Sequence, residues 1–266
     1  MEILVCVKRV PDTAENEIEV GKDGTDIRRE DLVYSVNEWD NYAVEEAIQI
    51  RDKVGGSVTV VTVGDEEAEE VLRREMAMGA DNGLLLDDDA FAGGDGKGIA
   101  AILKAAVEKG QYDLVLTGAQ ADDGAGQIGG MLAAMLDWPY ASVVNAIEVV
   151  DDKNLRVGRE IEGGNQEIND IELPCVLSIQ TGINEPRYVG IRGIRKVASV
   201  EIPSLGASEL GLGADAVGAA AAVVVLGIIC YLGWDPILER LSDTQKQLMV
   251  DRLADQRWTM FRDAVV

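Results

Sequence analysis

Residues 58–79 read VTVVTVGDEEAEEVLRREMAMG. The run from Val58 to Val63 is continuous and β-branched, as in a strand covered on both faces. Asp65 follows as a helix N-cap. Ala68, Val71, Leu72 and Met76 then recur at helical spacing until Gly79 stops the helix. The strand-helix unit repeats on either side. Before it, Ile3 to Val7 is a short apolar run, and Ala43, Val44, Ala47 and Ile48 form a helical stripe that ends at Gly55 and Gly56. After it come a strand at Gly83 to Leu86 and a helix carrying Ile99, Ile102, Leu103 and Ala106, ended by Gly110. A strand from Leu114 to Leu116 and a helix carrying Ile128, Met131, Leu132, Met135 and Leu136, stopped by Pro139, complete the series. Four alternations predict an α/β fold in which helices wrap a parallel sheet.

Residues 10–36 are polar, with Gly21 and Gly24 flanking a hairpin. From Ala146 the texture changes to strands alone. They run Ile147 to Val150, Leu155 to Arg159, Glu167 to Ile171 and Cys175 to Ile179, and are expected to extend or flank the sheet. Past Pro203, a linker studded with Gly206, Gly211 and Gly213 leads to residues 216–234, nineteen residues without a charge. A helix of that length reaches about 28 Å, close to a bilayer core. Asp235-Pro236 then opens an amphipathic tail through Leu238, Leu241, Leu248 and Leu253. The expected division is an α/β domain over 1–205, a glycine-rich linker over 206–215 and a helical module over 216–266.

Composition narrows the chemistry. The 266 residues carry 48 acidic and 24 basic side chains, a formal charge of −24, and no histidine. The missing imidazole removes Ser-His-Asp and Cys-His nucleophiles, HExxH metal sites and imidazole acid-base catalysis. The negative field disfavours nucleic acid, whose binding draws on clustered cations. Only nine of the cations are lysine. A solvated, acidic, low-lysine surface of this kind suits a salt-rich cytoplasm, where screening relieves self-repulsion. Cys6, Cys175 and Cys230 are odd in number and make no CxxC, so a reduced, cytoplasmic protein without a disulfide framework is expected. The N-terminus lacks the features of a secretory signal.

Two groups of residues suggest a binding site. The loop Gly118, Ala119, Gln120, Ala121, Asp122, Asp123, Gly124, Ala125, Gly126, Gln127 leads from a strand to the helix that opens at Ile128. Its small residues let backbone amides face a ligand, and the helix N-terminus offers partial positive charge to phosphate. Gly124, Gly126 and Gly129 match GxGxxG, but at the fourth strand-helix turn rather than the first, where a dinucleotide fingerprint belongs; a surface loop is the competing reading. The second group lies near the carboxyl end of the first strand: Cys6, then Lys8, and Asn37 to Asp40 before the first helix. Ligands of open α/β sheets gather at that edge, so these residues and Val63 could converge with the loop around one nucleotide. Helix capping competes for Asn37 and Asp40, and solvated turns compete with magnesium binding for Asp122 and Asp123. Asp87 to Asp89 reads as a surface acid run.

Taken together, Val5 to Asp12, Asn37 to Ala47, Met78-Gly-Ala-Asp81, Asp113 to Gly118, the glutamine-glycine loop, Leu136-Asp-Trp-Pro139, Arg159-Glu-Ile-Glu-Gly-Gly164, Leu173-Pro-Cys-Val176 and Asn184-Glu-Pro-Arg-Tyr188 resemble the β subunit of electron transfer flavoprotein. The similarity runs in order from residue 1 to about 213. It implies a Rossmann-like, nucleotide-α-hydrolase-like sheet domain in an αβ heterodimer whose α subunit holds most of the redox FAD. It further implies AMP, or a second FAD, bound in this subunit by Cys6, Asn37, Glu38, Trp39, Asp40, Val63 and Gly118 to Ile128. The segment after Tyr188 resembles the loop that docks acyl-CoA dehydrogenases, with Ile191 as its apolar anchor, though only Arg192, Arg195 and Lys196 remain of a stretch that is often lysine-rich. The implied role is an electron carrier rather than an enzyme, taking electrons from acyl-CoA or other dehydrogenases and passing them to a quinone oxidoreductase.

Two other functions compete. A universal-stress-type sensor would bind ATP or AMP without partner or flavin. An NAD-dependent dehydrogenase is disfavoured by the misplaced glycine pattern. From about residue 216 the chain departs from the polar arm of the family. A membrane tether beside a quinone-reducing partner, a helix buried against another subunit and an altered reading frame all fit that segment.

Overall fold

The computed structural model describes residues 1–21, 27–121 and 124–213. Gly24, Asp122, Asp123, Cys230, the span 216–234 and the amphipathic tail lie outside the described residues.

The strands expected at the start of the chain form. β1 (Glu2–Cys6), β4 (Ser57–Val63), β5 (Asn82–Leu86) and β6 (Leu114–Gly118) alternate with α1 (Glu38–Val54), α2 (Glu69–Met78), α3 (Gly96–Lys109) and α4 (Ile128–Leu136). β1 pairs in parallel with β4 on one side and β6 on the other. Period-two alternation sends Ile3, Val5, Val58, Val60, Leu114 and Leu116 to the face covered by α1 and α2. It sends Leu4, Val61, Leu86 and Val115 to the face covered by α3 and α4. With helices on both faces, apolar residues of each strand are buried on either side, and each fully buried Leu or Ile contributes roughly 1.5–3 kcal/mol.

The later strands are β7 (Tyr140–Val149), β8 (Asn154–Ile161), β9 (Asn165–Glu172), β10 (Cys175–Ile179) and β11 (Ser204–Leu205). Among the described residues nine strands make one sheet, in the order β11-β5-β4-β1-β6-β10-β7-β8-β9. β10 does not flank the sheet: it inserts in parallel between β6 and β7. β7 begins at Tyr140, not near Ile147. Its first half pairs with β10, its second half pairs antiparallel with β8, and Val143 between them takes φ 57° beside a register shift. That irregularity breaks the alternation on which sequence reading depends. The β8–β9 hairpin is long and mostly exposed, with Arg156 on Asp170 at 2.8 Å and Arg159 on Glu167 at 3.4 Å across the strands.

Outside the sheet, β2 (Arg9–Pro11) and β3 (Tyr34–Val36) form an antiparallel ribbon, and Val20 bridges Ile27 in the expected hairpin region. Helix α5 (Ile191–Val197) precedes β11, and α6 (Ala207–Leu210) follows it. The linker expected over 206–215 is therefore structured through its first half. Leu205, Ala207, Leu210 and Leu212 pack on the α3–α4 side, and Asp88 accepts the Ala207 amide at 2.9 Å. The acid run at Asp87 to Asp89 thus holds the edge strand in place. Among the described residues no helix is long and apolar enough to cross a membrane.

Candidate functional site

Strand order reverses between β1 and β6: the chain builds outward through β4 and β5, then returns through α3 to the other side of β1. A doubly wound sheet opens a crevice at such a point, beyond the carboxyl ends of the two strands. Here that edge is held by the first turn of α1. Asp40 accepts the Lys8 amide through Oδ2 at 2.8 Å and the Gly118 amide through Oδ1 at 3.1 Å. Asn37 donates its backbone N–H to the Lys8 carbonyl at 2.9 Å and its side-chain amide to the Gln120 carbonyl at 2.8 Å. The helix capping that competed as a reading of these two residues is not what their side chains do. Asn37 stands at the N-cap position of α1 without a side-chain cap bond, and the Asp40 carboxylate reaches the ends of β1 and β6.

Desolvation by burial pushes the Asp40 carboxyl up to about 7, against hydrogen bonds from Asn37 and from the Lys8 and Gly118 amides that pull it down. Asn37 is 1 % exposed, and its Oδ1 is buried with no hydrogen-bond partner. A buried acceptor left unpaired is costly, so an orphaned oxygen at a sheet-edge crevice is a position for a ligand donor.

The glycine loop closes against this frame. A Cβ on Gly118 would overlap Asp40 Oδ1 and lie 2.7 Å from Trp39 Cβ, so only glycine lets α1 approach β6 this closely. Gly126 takes a left-handed φ of 65°, and a Cβ there would meet the Ala119 carbonyl at 2.8 Å; the loop doubles back on Ala119 and Gln120. At Gly129 a Cβ would overlap Ser178 Oγ and sit 3.0 Å from Thr117 Oγ1. The last glycine of the GxGxxG match thus serves close packing of α4 on β6 and β10.

The structure brings Asn37, Trp39, Asp40, Gly118, Ala119, Gln120, Gly126 and the start of α4 at Gln127 and Ile128 to one edge. Cys6 is half-buried at the end of β1, in register with Val61 and Thr117. Val63 ends β4 on the same side of the sheet. Glu38 is exposed on the first turn of α1, and Ala121, Gly124 and Ala125 lie on the loop. Ile191 is apart from this crevice: it begins α5, which packs on α2, and is 68 % exposed.

Sequence reading missed three groups. Ser178 Oγ lies 3.0 Å from Thr117 Oγ1 and 2.9 Å from the Tyr140 hydroxyl, a hydrogen-bonded chain beneath the first turn of α4. A lone serine inside the apolar run Cys175 to Ile179 was its only sign. Glu75 is fully buried on α2 with neither oxygen hydrogen-bonded, and Arg187 forms a two-pronged pair with Glu45. Among the described residues no cluster of three or more carboxylates or cysteines could hold a metal ion.

The strand order defines a doubly wound α/β protein, with the candidate residues gathered at the reversal between β1 and β6. Within that class the chain belongs to the electron transfer flavoprotein family, whose domain matches residues 25–210. It is 38 % identical over 224 residues to the electron transfer flavoprotein subunit beta of Methylophilus methylotrophus, covering 83 % of this chain and 84 % of that protein. To the subunit of the same name from Thermoanaerobacterium thermosaccharolyticum it is 45 % identical over 195 residues, 73 % of this chain and 74 % of the relative. The caffeyl-CoA reductase-Etf complex subunit CarD of Acetobacterium woodii is 40 % identical over 221 residues, 82 % of this chain and 83 % of that one.

Proposed function

We propose that this chain is the β subunit of a heterodimeric electron transfer flavoprotein. In that role it accepts electrons from dehydrogenases, acyl-CoA dehydrogenases among them, through FAD on an α subunit, and passes them to a quinone oxidoreductase. It binds an adenine nucleotide, AMP or a second FAD, in the crevice between β1 and β6. The flavin supplies the redox chemistry when bound, and protein groups orient and tune it. The observation that carries the nucleotide reading is the Asn37 side chain: its amide fixes Gln120 at 2.8 Å while its buried Oδ1 stays unpaired. That oxygen suits an exocyclic amine or a ribose hydroxyl. The N-terminus of α4, reached through the loop from Gly118 to Gln127, suits a phosphate.

This chain's own residues hold the ligand edge rather than transfer electrons. Asp40 and Asn37 keep the ends of β1 and β6 and the loop in one arrangement, and the Gly118 and Gly129 approaches remove the slack that side chains would introduce. Denaturing the purified heterodimer and separating the released cofactors by chromatography tests the reading. FAD with an equal amount of AMP, or two FAD, is expected. A heterodimer that releases no adenine nucleotide beyond the α-subunit FAD would overturn the assignment of this crevice.

The exposed segment from Tyr188 to Lys196 fits the docking role, since it presents Ile191 beside Arg192, Arg195 and Lys196 on a chain of net charge −24. The charge-free stretch 216–234 would tether the subunit beside its quinone-reducing partner. After carbonate extraction the chain is then expected in the membrane pellet, and its release would overturn the tether.

A further inference from the structure

The segment that carries Ile191 is fastened to the helices beneath it at three points. At its start, Arg187 donates from Nε to Glu45 Oε2 at 2.7 Å and from Nη2 to Glu45 Oε1 at 2.9 Å, and its backbone N–H reaches Oε2 at 3.3 Å. In the middle, α5 presses on the end of α2 so closely that a Cβ on Gly193 would lie 2.6 Å from the Ala77 carbonyl. At its end, Arg73 of α2 donates to the Val197 and Val200 carbonyls at 2.7 and 3.1 Å. Between these fastenings Tyr188 is 92 %, Ile191 68 % and Ile194 52 % exposed. Large apolar side chains left in water on a rigidly held backbone are characteristic of a preformed contact surface, since ordering them beforehand lowers the entropy lost on binding.

The first fastening is the specific one. Glu45 is buried on α1. Burial alone would raise its carboxyl, yet hydrogen bonds from Arg187 and Gln49 outweigh it and hold the group below the ordinary glutamate range. Beside it, Asn184 donates to the Tyr42 carbonyl at 3.1 Å and to buried Glu46 at 3.0 Å. Residues 184–187 are thus seated on α1 immediately before the chain turns outward at Tyr188.

We propose that Glu45 and Arg187 are positioning residues for electron delivery, their two-pronged pair fixing the orientation in which Tyr188, Ile191 and Ile194 meet an electron-donating dehydrogenase. This rests on the docking reading above, and the experiment separates the two. The complete heterodimer carries Glu45→Gln, Arg187→Lys or Ile191→Ala, with octanoyl-CoA-driven reduction by an acyl-CoA dehydrogenase as the probe and hydrogen exchange of the 188–197 amides as a second readout. Arg187→Lys keeps the charge and loses the fork, so a purely electrostatic role would leave it unaffected. Expected for Glu45→Gln and Arg187→Lys are a KM for the flavoprotein raised roughly tenfold with kcat little changed, faster exchange confined to 188–197, and unchanged FAD content. If Ile191→Ala raises KM while both pair variants leave KM and exchange as in the parent, the positioning proposal fails and docking stands. If Ile191→Ala leaves KM unchanged, or the parent heterodimer accepts no electrons from the acyl-CoA dehydrogenase, the docking reading fails and the proposal falls with it.

Discussion

Asp40 accepts the Gly118 amide at 3.1 Å while its other oxygen accepts the Lys8 amide at 2.8 Å, so one buried carboxylate on the first turn of α1 ties together the two strands between which the sheet order reverses. Both strand ends lose freedom through a side chain for which the sequence offered nucleotide contact, with helix capping as the competing reading.

Gly118→Ala therefore does more than add a methyl group. Its Cβ would overlap Asp40 Oδ1 and crowd the Trp39 carbonyl carbon at 3.1 Å, and the helix backbone cannot swing aside as a long side chain could. Overpacking of this kind costs about 1–3 kcal/mol. A lower Tm by calorimetry, together with loss of bound adenine nucleotide, is expected. An unchanged Tm with full nucleotide content would show that the contact yields freely.

Asn37→Ala removes the amide that holds the Gln120 carbonyl and the acceptor that lies buried beside it. A lost hydrogen bond of about 1–1.5 kcal/mol corresponds to roughly tenfold weaker binding. Titration calorimetry of AMP into nucleotide-stripped heterodimer measures it. Asn37→Asp loses the donor and sets a second carboxylate against the buried Asp40 and the Gln120 carbonyl, so its affinity is expected to fall at least as far as that of the alanine variant; parent-like affinity in both would remove Asn37 from the site.

Glu75 is 0 % exposed, neither oxygen is hydrogen-bonded, and its closest cation is Arg74 Nε at 4.0 Å. Desolvation pushes its carboxyl up to about 8, with Arg74 opposing and Asp40 adding to the rise. For a carboxyl raised on folding, the unfolded chain ionises first. Stability is then lost as pH climbs from about 4.3, the unfolded glutamate value, to the folded value near 8. Asp40, pushed up to about 7, acts in the same direction. Glu75→Met removes an unpaired buried carboxyl that costs roughly 1–3 kcal/mol. The variant is expected to melt several degrees above the parent at alkaline pH, with a smaller gain at acidic pH. A gain independent of pH across that window would mean Glu75 does not titrate there.

The acidic surface makes a prediction about salt. With 48 acidic against 24 basic side chains, self-repulsion opposes the compact state, and raising KCl shortens the Debye length from about 10 Å at 0.1 M to about 3 Å at 1 M. Tm is expected to rise over that range, and a fall would argue against adaptation to a salt-rich cytoplasm.

Local patterning is enough to define the alternation from β1 to α4. Period-two and helical spacing, with stops at Gly55, Gly79 and Gly110, are local signals that survive without knowledge of the rest of the chain. The sequence also excludes imidazole chemistry outright, and the order of its motifs carries the family resemblance. Long-range packing set the placement of β10 between β6 and β7, the start of β7 at Tyr140 and the folding of residues 206–212 onto the sheet domain. It also brings Asp40 to strand ends 32 and 78 residues away, and Glu45 to Arg187 across 142 residues. The reason is physical. Apolar periodicity reports only which face of an element is buried, whereas a buried carboxylate or amide must be satisfied by whichever distant group the chain's folding brings against it, and that choice is made by packing.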